Sequence, residues 1–323
     1  MLPFSRDKII SYYAEAQTIH RGLMPIPRMA LIYPSYICGH NCVGCHYKGW
    51  NKQHKGDGFM DYGKYIKMVD DLHRYGVKSI EFCGGGEPTL HPQFYDMVFH
   101  VEQLGMKFGL FTNAEGIDDK NAELLARVAS YVRVSIDEEA EWGNLERLIK
   151  ARKEQEHKNR ANIGVKILVS GRNEDTVEQK IRQAVDAKVD YIQIKPEKPT
   201  KNPIKDSGKI EKMMGAYRLL EGAEILGGVQ NTQLEDKCWL SPIHTMIDAY
   251  GDVYICCYFQ FRQNKHKIGN CFDKGFKRVW ESQKHALAIT EIDKKECDVF
   301  DCRWHKYNSH LKKFMEQGHI EFI

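Results

Sequence analysis

Between Met29 and about residue 197 the chain alternates short apolar runs with longer segments whose apolar residues recur every three or four positions. The short runs predict strands at 29–37, 78–83, 107–112, 131–136, 163–169 and 190–195. The periodic segments predict helices at 61–75, 93–105, 119–128, 141–157 and 175–187. Strands separated in this way by helices imply a parallel sheet with right-handed crossovers. Periodicity alone leaves a partial barrel and a doubly wound sheet equally open. In either one, chemistry sits just past the carboxyl ends of the strands. Here those ends carry Cys38–Cys45, Gly84–Glu87, Thr112-Asn113, Ser135–Asp137, Ser170–Arg172 and Lys195-Pro196, polar groups following apolar runs.

The flanks read differently. Residues 5–22 have helical composition, with Ile9, Ile10, Tyr13 and Ala16 as an apolar stripe expected to cap the body. Residues 196–210 are rich in proline and lysine and mark a boundary. A helix is expected at about 207–222, then two short strands around the Gly251-Asp252 turn within 247–256. The chain therefore divides into an N-terminal helical extension (1–28), an α/β core (29–200) and a smaller C-terminal α+β domain (201–323).

Composition narrows the class. Hydrophobic content of 42% and charged content of 28% are ordinary for a soluble globular protein. A net charge of +3, with no long Lys/Arg run, argues against nucleic acid as a partner. No stretch approaches the roughly 18 apolar residues of a membrane helix, and residues 1–8 lack the apolar core of a secretory signal. No membrane contact and a cytoplasmic location are the expectation. There, ten cysteines speak for metal centres more than for disulfides. They are unevenly spread: three in 38–45, then Cys83, none until Cys238, and six from there onward.

The first group, Cys38-Gly39-His40-Asn41-Cys42-Val43-Gly44-Cys45, has C-x3-C-x2-C spacing. Soft thiolates this close suit an iron–sulfur cluster or zinc. With His40 or His46 as a fourth ligand, the spacing alone also allows a zinc site. Cys83-Gly84-Gly85-Gly86-Glu87-Pro88, after the second predicted strand, is a motif that zinc gives no reason for. Together the two stretches resemble the radical S-adenosylmethionine (SAM) superfamily.

That resemblance implies a partial (β/α)6 TIM barrel. Cys38, Cys42 and Cys45 would ligate a [4Fe–4S] cluster whose open iron takes SAM, and one electron would release a 5′-deoxyadenosyl radical. Gly84, Gly85, Gly86 and Glu87 would hold the methionine amino group, since glycines allow close backbone approach and a carboxylate suits an ammonium. Ser135 and Asp137 match the position that meets the ribose or carboxylate of SAM. Asn113, Lys166, Ser170 and Lys195 are placed to face the cavity mouth. One residue departs from the family pattern: an aromatic residue or His usually precedes the third cysteine, near the adenine, and this chain has Gly44. His46, Tyr47 or backbone would then supply those contacts.

Cys238 is followed by twelve residues to Gly251 and four more to Cys256. This resembles the opening of the SPASM and twitch auxiliary-cluster domains, and Cys297 and Cys302 supply a second pair. These four thiolates would enclose a second, auxiliary [4Fe–4S] cluster in the single-cluster, twitch-like form. A four-cysteine zinc site is the rival from spacing. Cys257 and Cys271 are spare; each could ligate, donate a hydrogen atom or be a buried thiol.

The resulting expectation is a radical SAM oxidoreductase acting on a small polar metabolite, with two-electron oxidation of an alcohol as the leading reaction. Lys195, Lys198 and Lys201 suggest an anionic group on that substrate. Radical epimerisation is the runner-up, with Cys257, Cys271 or Cys83 as the thiol that returns hydrogen. Modification of a ribosomally made peptide is a further alternative, less favoured because no leader-binding segment is read before the barrel. A non-catalytic iron–sulfur protein is the reading outside the enzyme class. An electron donor such as flavodoxin or ferredoxin is implied as partner.

Overall fold

A computed structural model describes residues 10–47, 56–136, 141–155, 161–198, 200–218, 223–227, 238–258, 263–297, 302 and 305–316. Its strands are β1 (Met29–Ile32), β2 (Ser79–Phe82), β3 (Lys107–Thr112), β4 (Tyr131–Ser135), β5 (Asn162–Val169), β6 (Tyr191–Pro196) and β7 (Glu224–Gly227), followed by β8 (His244–Ile247), β9 (Asp252–Tyr254) and β10 (Lys267–Asn270). They form one ten-stranded sheet in the order β10-β9-β8-β1-β2-β3-β4-β5-β6-β7. Neighbours from β1 to β7 are parallel. This is the mixed, mostly parallel α/β sheet expected of a partial barrel, with a C-terminal addition on one side.

Helices α1 (Tyr13–His20), α2 (Tyr62–Tyr75), α3 (Phe94–Gln103), α4 (Asp119–Val128), α5 (Trp142–Lys153), α6 (Val177–Asp186) and α7 (Ser207–Arg218) fill the connections. Their ends follow local chemistry. Asp61 caps α2 by accepting from the Lys64 N–H at 2.8 Å, and Asp118 caps α4 through Asn121 at 2.8 Å. Tyr65, Met68, Val69 and Leu72 bury one face of α2 against the sheet. Each such burial stabilises by about 1.5–3 kcal/mol before chain entropy is set against it.

Three expectations change. The first strand stops at Ile32 rather than 37, because Pro34 has no N–H for a ladder. The chain turns there onto a neighbouring loop: Tyr36 donates to the Gly58 carbonyl and Met60 to that of Pro34. A seventh parallel strand, β7, follows the predicted helix; four residues are too few to show a period. At the N-terminus Ala16 is buried but Ile10 and Tyr13 are exposed, and Ile9 lies outside the described residues. The helix packs through Ala16 on Leu240, Ile243 and Leu311 instead.

The C-terminal strands do not form a separate sheet. β8 runs parallel to β1, pairing Met29 with His244 through Ile32 with Ile247. β9 and β10 then continue the sheet antiparallel. The segment after β9, which holds Cys256 and Cys257, is thereby delivered beside the end of β1. Among the described residues no helix is long and apolar enough to cross a membrane.

Candidate functional site

A cavity of about 610 Å³ opens at the carboxyl ends of the strands, and Cys38, Cys42, Cys45, Glu87, Lys195 and Cys257 all line it. The cysteine loop is held there by the glycine run. The Gly86 N–H donates to the Ser35 carbonyl at 2.8 Å and the Glu87 N–H to that of Ile37 at 2.7 Å. A Cβ on Gly85 would fall 2.3 Å from the Tyr36 ring, and one on Gly86 2.2 Å from the Ile37 oxygen. These glycines are therefore needed where two loops touch, besides any role towards a ligand.

Glu87 is 2% exposed and its carboxylate braces the site. Oε1 accepts from the Thr89 N–H (3.0 Å) and from the hydroxyls of Thr89 (2.6 Å) and Thr112 (2.5 Å); Oε2 accepts from the Asn113 N–H (2.7 Å). Burial raises its carboxyl above the usual range, against the pull of those donors. A carboxylate has about four acceptor positions, so Oε2 retains room for another donor. Asn113 also reaches the thiol of Cys38, with Nδ2 at 3.6 Å from Sγ.

Two carboxylates occupy the space beside the glycines of the cysteine loop. The Gly39 N–H donates to Glu115 at 3.0 Å, and a Cβ on Gly39 would meet its Oε1 at 1.7 Å. A Cβ on Gly44 would meet Oε1 of Glu197 at 1.5 Å. Glu197, just past β6, is held by Arg172 at 2.7 and 3.0 Å. Burial pushes its carboxyl up, but Arg172 together with the hydroxyls of Ser170 and Thr200 outweighs it, and the group lies below the usual range.

The lining of the cavity as a whole is cationic. Ser135, Lys166 and Gln193 lie side by side on β4, β5 and β6, and Lys195 is one step further along the same face of β6. All four line the cavity, as do Arg133, Arg172 and Lys198. Arg133, 7% exposed, lies over the Phe111 ring at 3.4 Å from its centroid. Among the described lining residues there are five Lys or Arg side chains and two carboxylates, Glu87 and Glu197, the latter already paired with Arg172.

The spare cysteines separate. Cys83 and Cys257 line the cavity, close to Tyr33 and Tyr47, whose hydroxyls are 2.5 Å apart. Burial raises both phenols well above their usual range, so they are neutral donors. Cys271 is buried beneath the β8–β9 turn and donates to the Gly251 carbonyl at 3.2 Å; it is not among the cavity-lining residues.

Cys38, Cys42 and Cys45 fit a [4Fe–4S] cluster by donor chemistry: three thiols on one loop at an open cavity, with no side chain at Gly39 or Gly44 between them. Burial raises the Cys38 thiol to about 11, a shift that bound iron would reverse. Among the described residues no three His, Cys, Asp or Glu side chains converge on a single ion. A cluster requires no such convergence, since each thiolate takes its own iron. The flanks of the later cysteines are stitched together. The Trp239 N–H donates to Asn308 at 2.6 Å, Ser241 to the Ile255 carbonyl at 3.1 Å, and the His305 N–H to the Cys302 carbonyl at 3.1 Å. Cys238, Cys256 and Cys302 are thus carried on connected segments. Cys297 ends a short helix whose Glu296 pairs with Lys265 at 2.8 Å.

Of the remaining expected positions, Gly84, Asn113, Ser135, Lys166 and Lys195 line the cavity. Ser170 does not; it is 1% exposed, with its N–H bonded to Asn173. Lys201 is exposed outside the lining, and Asp137 lies outside the described residues. Arg133, Gln193 and Glu197 were not anticipated. A charged residue inside the apolar run Tyr131-Val132-Arg133-Val134 was the available signal for the first.

Comparison with known proteins bears on the same segments. The Radical SAM superfamily profile matches residues 32–141, and the SPASM iron–sulfur cluster-binding domain matches 238–303. A tungsten-containing aldehyde ferredoxin oxidoreductase cofactor-modifying protein from Pyrococcus furiosus is 36% identical over 92 residues, 28% of this chain. The match spans only a quarter (25%) of that relative's length. The mycofactocin maturase MftC of Mycobacterium tuberculosis is 23% identical over 287 residues, covering 80% of this chain and 71% of the relative. In fold, the chain is similar to Streptococcus suis SuiB bound to S-adenosylmethionine: TM-score 0.67, 15% identity, 85% of this chain and 70% of that one.

Proposed function

The chain belongs to the radical SAM superfamily and carries a SPASM iron–sulfur domain, and from that premise we propose that it oxidises an anionic substrate by two electrons. When bound, the first cluster and SAM supply a 5′-deoxyadenosyl radical after one-electron reduction, and a cluster at the C-terminal thiols supplies a redox partner. The observation that carries the proposal is the position of Cys257. It lines the cavity shared with Cys38, Cys42 and Cys45, and it directly follows Cys256, a proposed auxiliary ligand.

The chain's own residues would divide the work. Cys38, Cys42 and Cys45 hold the first cluster; Cys238, Cys256, Cys297 and Cys302 hold the second. Glu87 orients the glycine turn and offers Oε2 to an ammonium. Arg133, Lys166 and Lys195 attract and orient an oxyanion, carboxylate or phosphate, because a buried positive excess favours a negative occupant. The reacting part of the substrate is the size of a small metabolite or one amino-acid side chain, given the volume of the cavity. The proposed boundary near residue 200 divides chemistry rather than sheet. A small electron-transfer protein such as flavodoxin or ferredoxin is the proposed donor, in the cytoplasm.

The alignment with the mycofactocin maturase over 80% of the chain favours a second reading, in which the anionic substrate is part of a peptide. Anaerobic incubation in D2O with an anionic metabolite fraction, or with candidate precursor peptides, tests the reaction. The expected product has lost two hydrogens and carries no carbon-bound deuterium. A redox-neutral product with one carbon-bound deuterium would instead assign the step to a thiol, Cys83 or Cys257.

A further inference from the structure

Gly44 directly precedes the third cluster cysteine, and the volume its side chain would need is filled by Oε1 of Glu197. The carboxylate is fixed there. Arg172 donates to Oε1 at 2.7 Å and Oε2 at 3.0 Å, and the Thr200 hydroxyl to Oε2 at 3.3 Å. The Glu197 N–H is anchored on the Val169 carbonyl at 2.7 Å. At 5% exposure a carboxylate is costly unless its acceptor positions are used. Oε1, the atom beside Gly44, takes Arg172 as donor, the nearby Ser170 hydroxyl also acts on this carboxylate, and Glu197 lines the cavity. It is a pre-set acceptor, one residue from a cluster thiol.

The donor it would take follows from the length of the cavity. Glu87 and Glu197 lie past β2 and β6, four strand spacings apart in the sheet, or roughly 19 Å along its curve and less across it. On the reading of the previous section, the ammonium of SAM belongs on the Glu87 side. The nucleoside then extends toward β6. Its ribose hydroxyls stay near the sulfonium, and the exocyclic amino group of the purine is the donor at the far end.

We propose that Glu197, held by Arg172 in the space left by Gly44, accepts a hydrogen bond from the purine 6-amino group of SAM and so selects the adenosyl cofactor. Glu197 is thus a specificity residue, and Gly44 is the small residue that makes room for it. The proposal rests on the assignment of SAM to this cavity.

The test is equilibrium binding, by calorimetry under anaerobic conditions, to the iron-loaded full-length protein. The probes are SAM and an analogue carrying hydrogen in place of the 6-amino group. Wild type should prefer SAM by about tenfold to a hundredfold, the range of one charge-assisted hydrogen bond. Glu197→Gln turns its single oxygen to Arg172 and its amide NH2 to the cavity, and should bring the preference close to one. Gly44→Ala, which displaces the carboxylate without removing it, should do the same. Iron content and thermal midpoint measured on each variant separate this from misfolding. An undiminished preference in both variants overturns the proposal while leaving the SAM assignment intact. Failure of wild type to bind SAM overturns both.

Discussion

The backbone N–H of Asn113 donates to Oε2 of Glu87 over 2.7 Å, while the side chain of the same asparagine reaches the Cys38 sulfur at 3.6 Å. One residue at the end of β3 therefore ties the glycine-rich turn after β2 to the cysteine loop after β1. The geometry gives Glu87 a duty to the fold, and the duty to a ligand proposed for it can be separated from that one by experiment.

Glu87→Ala leaves the Thr89 and Asn113 N–H groups buried without their acceptor. We expect a loss of about 2–5 kcal/mol in stability, from unsatisfied buried donors. Glu87→Gln keeps one acceptor oxygen and should lose less, while weakening SAM binding by about tenfold to a hundredfold. Denaturant midpoints with calorimetric SAM titrations check both. A fully stable Glu87→Ala would contradict the bracing role.

Metal content tests the two cysteine sets independently. Reconstituted protein should hold about eight irons per chain, and Cys38→Ala/Cys42→Ala/Cys45→Ala about four. Iron and zinc analysis of both proteins reads this directly. Loss of all iron in the triple variant would show that the C-terminal thiols hold no cluster of their own.

Asp248 provides a pH signature. Burial, reinforced by the charge of Asp252, raises its carboxyl to about 7, against about 3.9 when unfolded. The folded state therefore keeps a proton that the unfolded state has released. The resulting stability is fully present below about pH 4 and is lost as pH rises through about 7. Unfolding free energies from urea titrations should fall between about pH 4 and pH 7, by up to about 1.4 kcal/mol per pH unit. Asp248→Asn should flatten that slope; a parallel profile in the variant would assign it to other groups.

Gly85→Ala places a methyl group 2.3 Å from the ring of Tyr36, whose hydroxyl donates to Asp248 at 3.2 Å. Overpacking of this kind typically costs about 1–3 kcal/mol. Thermal midpoints of Gly85→Ala and Gly85→Ala/Tyr36→Leu would show whether relieving the ring restores stability. An unshifted midpoint in the single variant would contradict the contact.

Local signals explain how far the sequence could be read. Strands such as Lys107–Thr112 and helices such as Asp119–Val128 are bounded by residues that stop or cap them, so their limits were legible. Pro34 ended the first strand early, and the apolar residues beyond it, Tyr36 and Ile37, serve the loop instead. β7 was missed because four residues carry no period. Cys38, Cys42 and Cys45 lie within one loop, so their spacing marks them as a ligand set, and the glycine run after β2 is what favours a cluster over zinc. Arg133, Gln193 and Glu197 come from three separate segments, and only the parallel register brings them to one cavity. The absent side chain at Gly44 was visible, but its partner was not: Glu197 lies 153 positions away (197 − 44).

Formation of 5′-deoxyadenosine is the most direct test of the central claim. Iron-loaded protein, incubated anaerobically with SAM and a low-potential reductant, should yield 5′-deoxyadenosine and methionine in equal amounts by mass spectrometry. Cys38→Ala/Cys42→Ala/Cys45→Ala should yield neither, with its thermal midpoint and C-terminal iron retained. Equal yields from the variant and wild type, or no 5′-deoxyadenosine from fully iron-loaded wild type with SAM bound, would contradict the account.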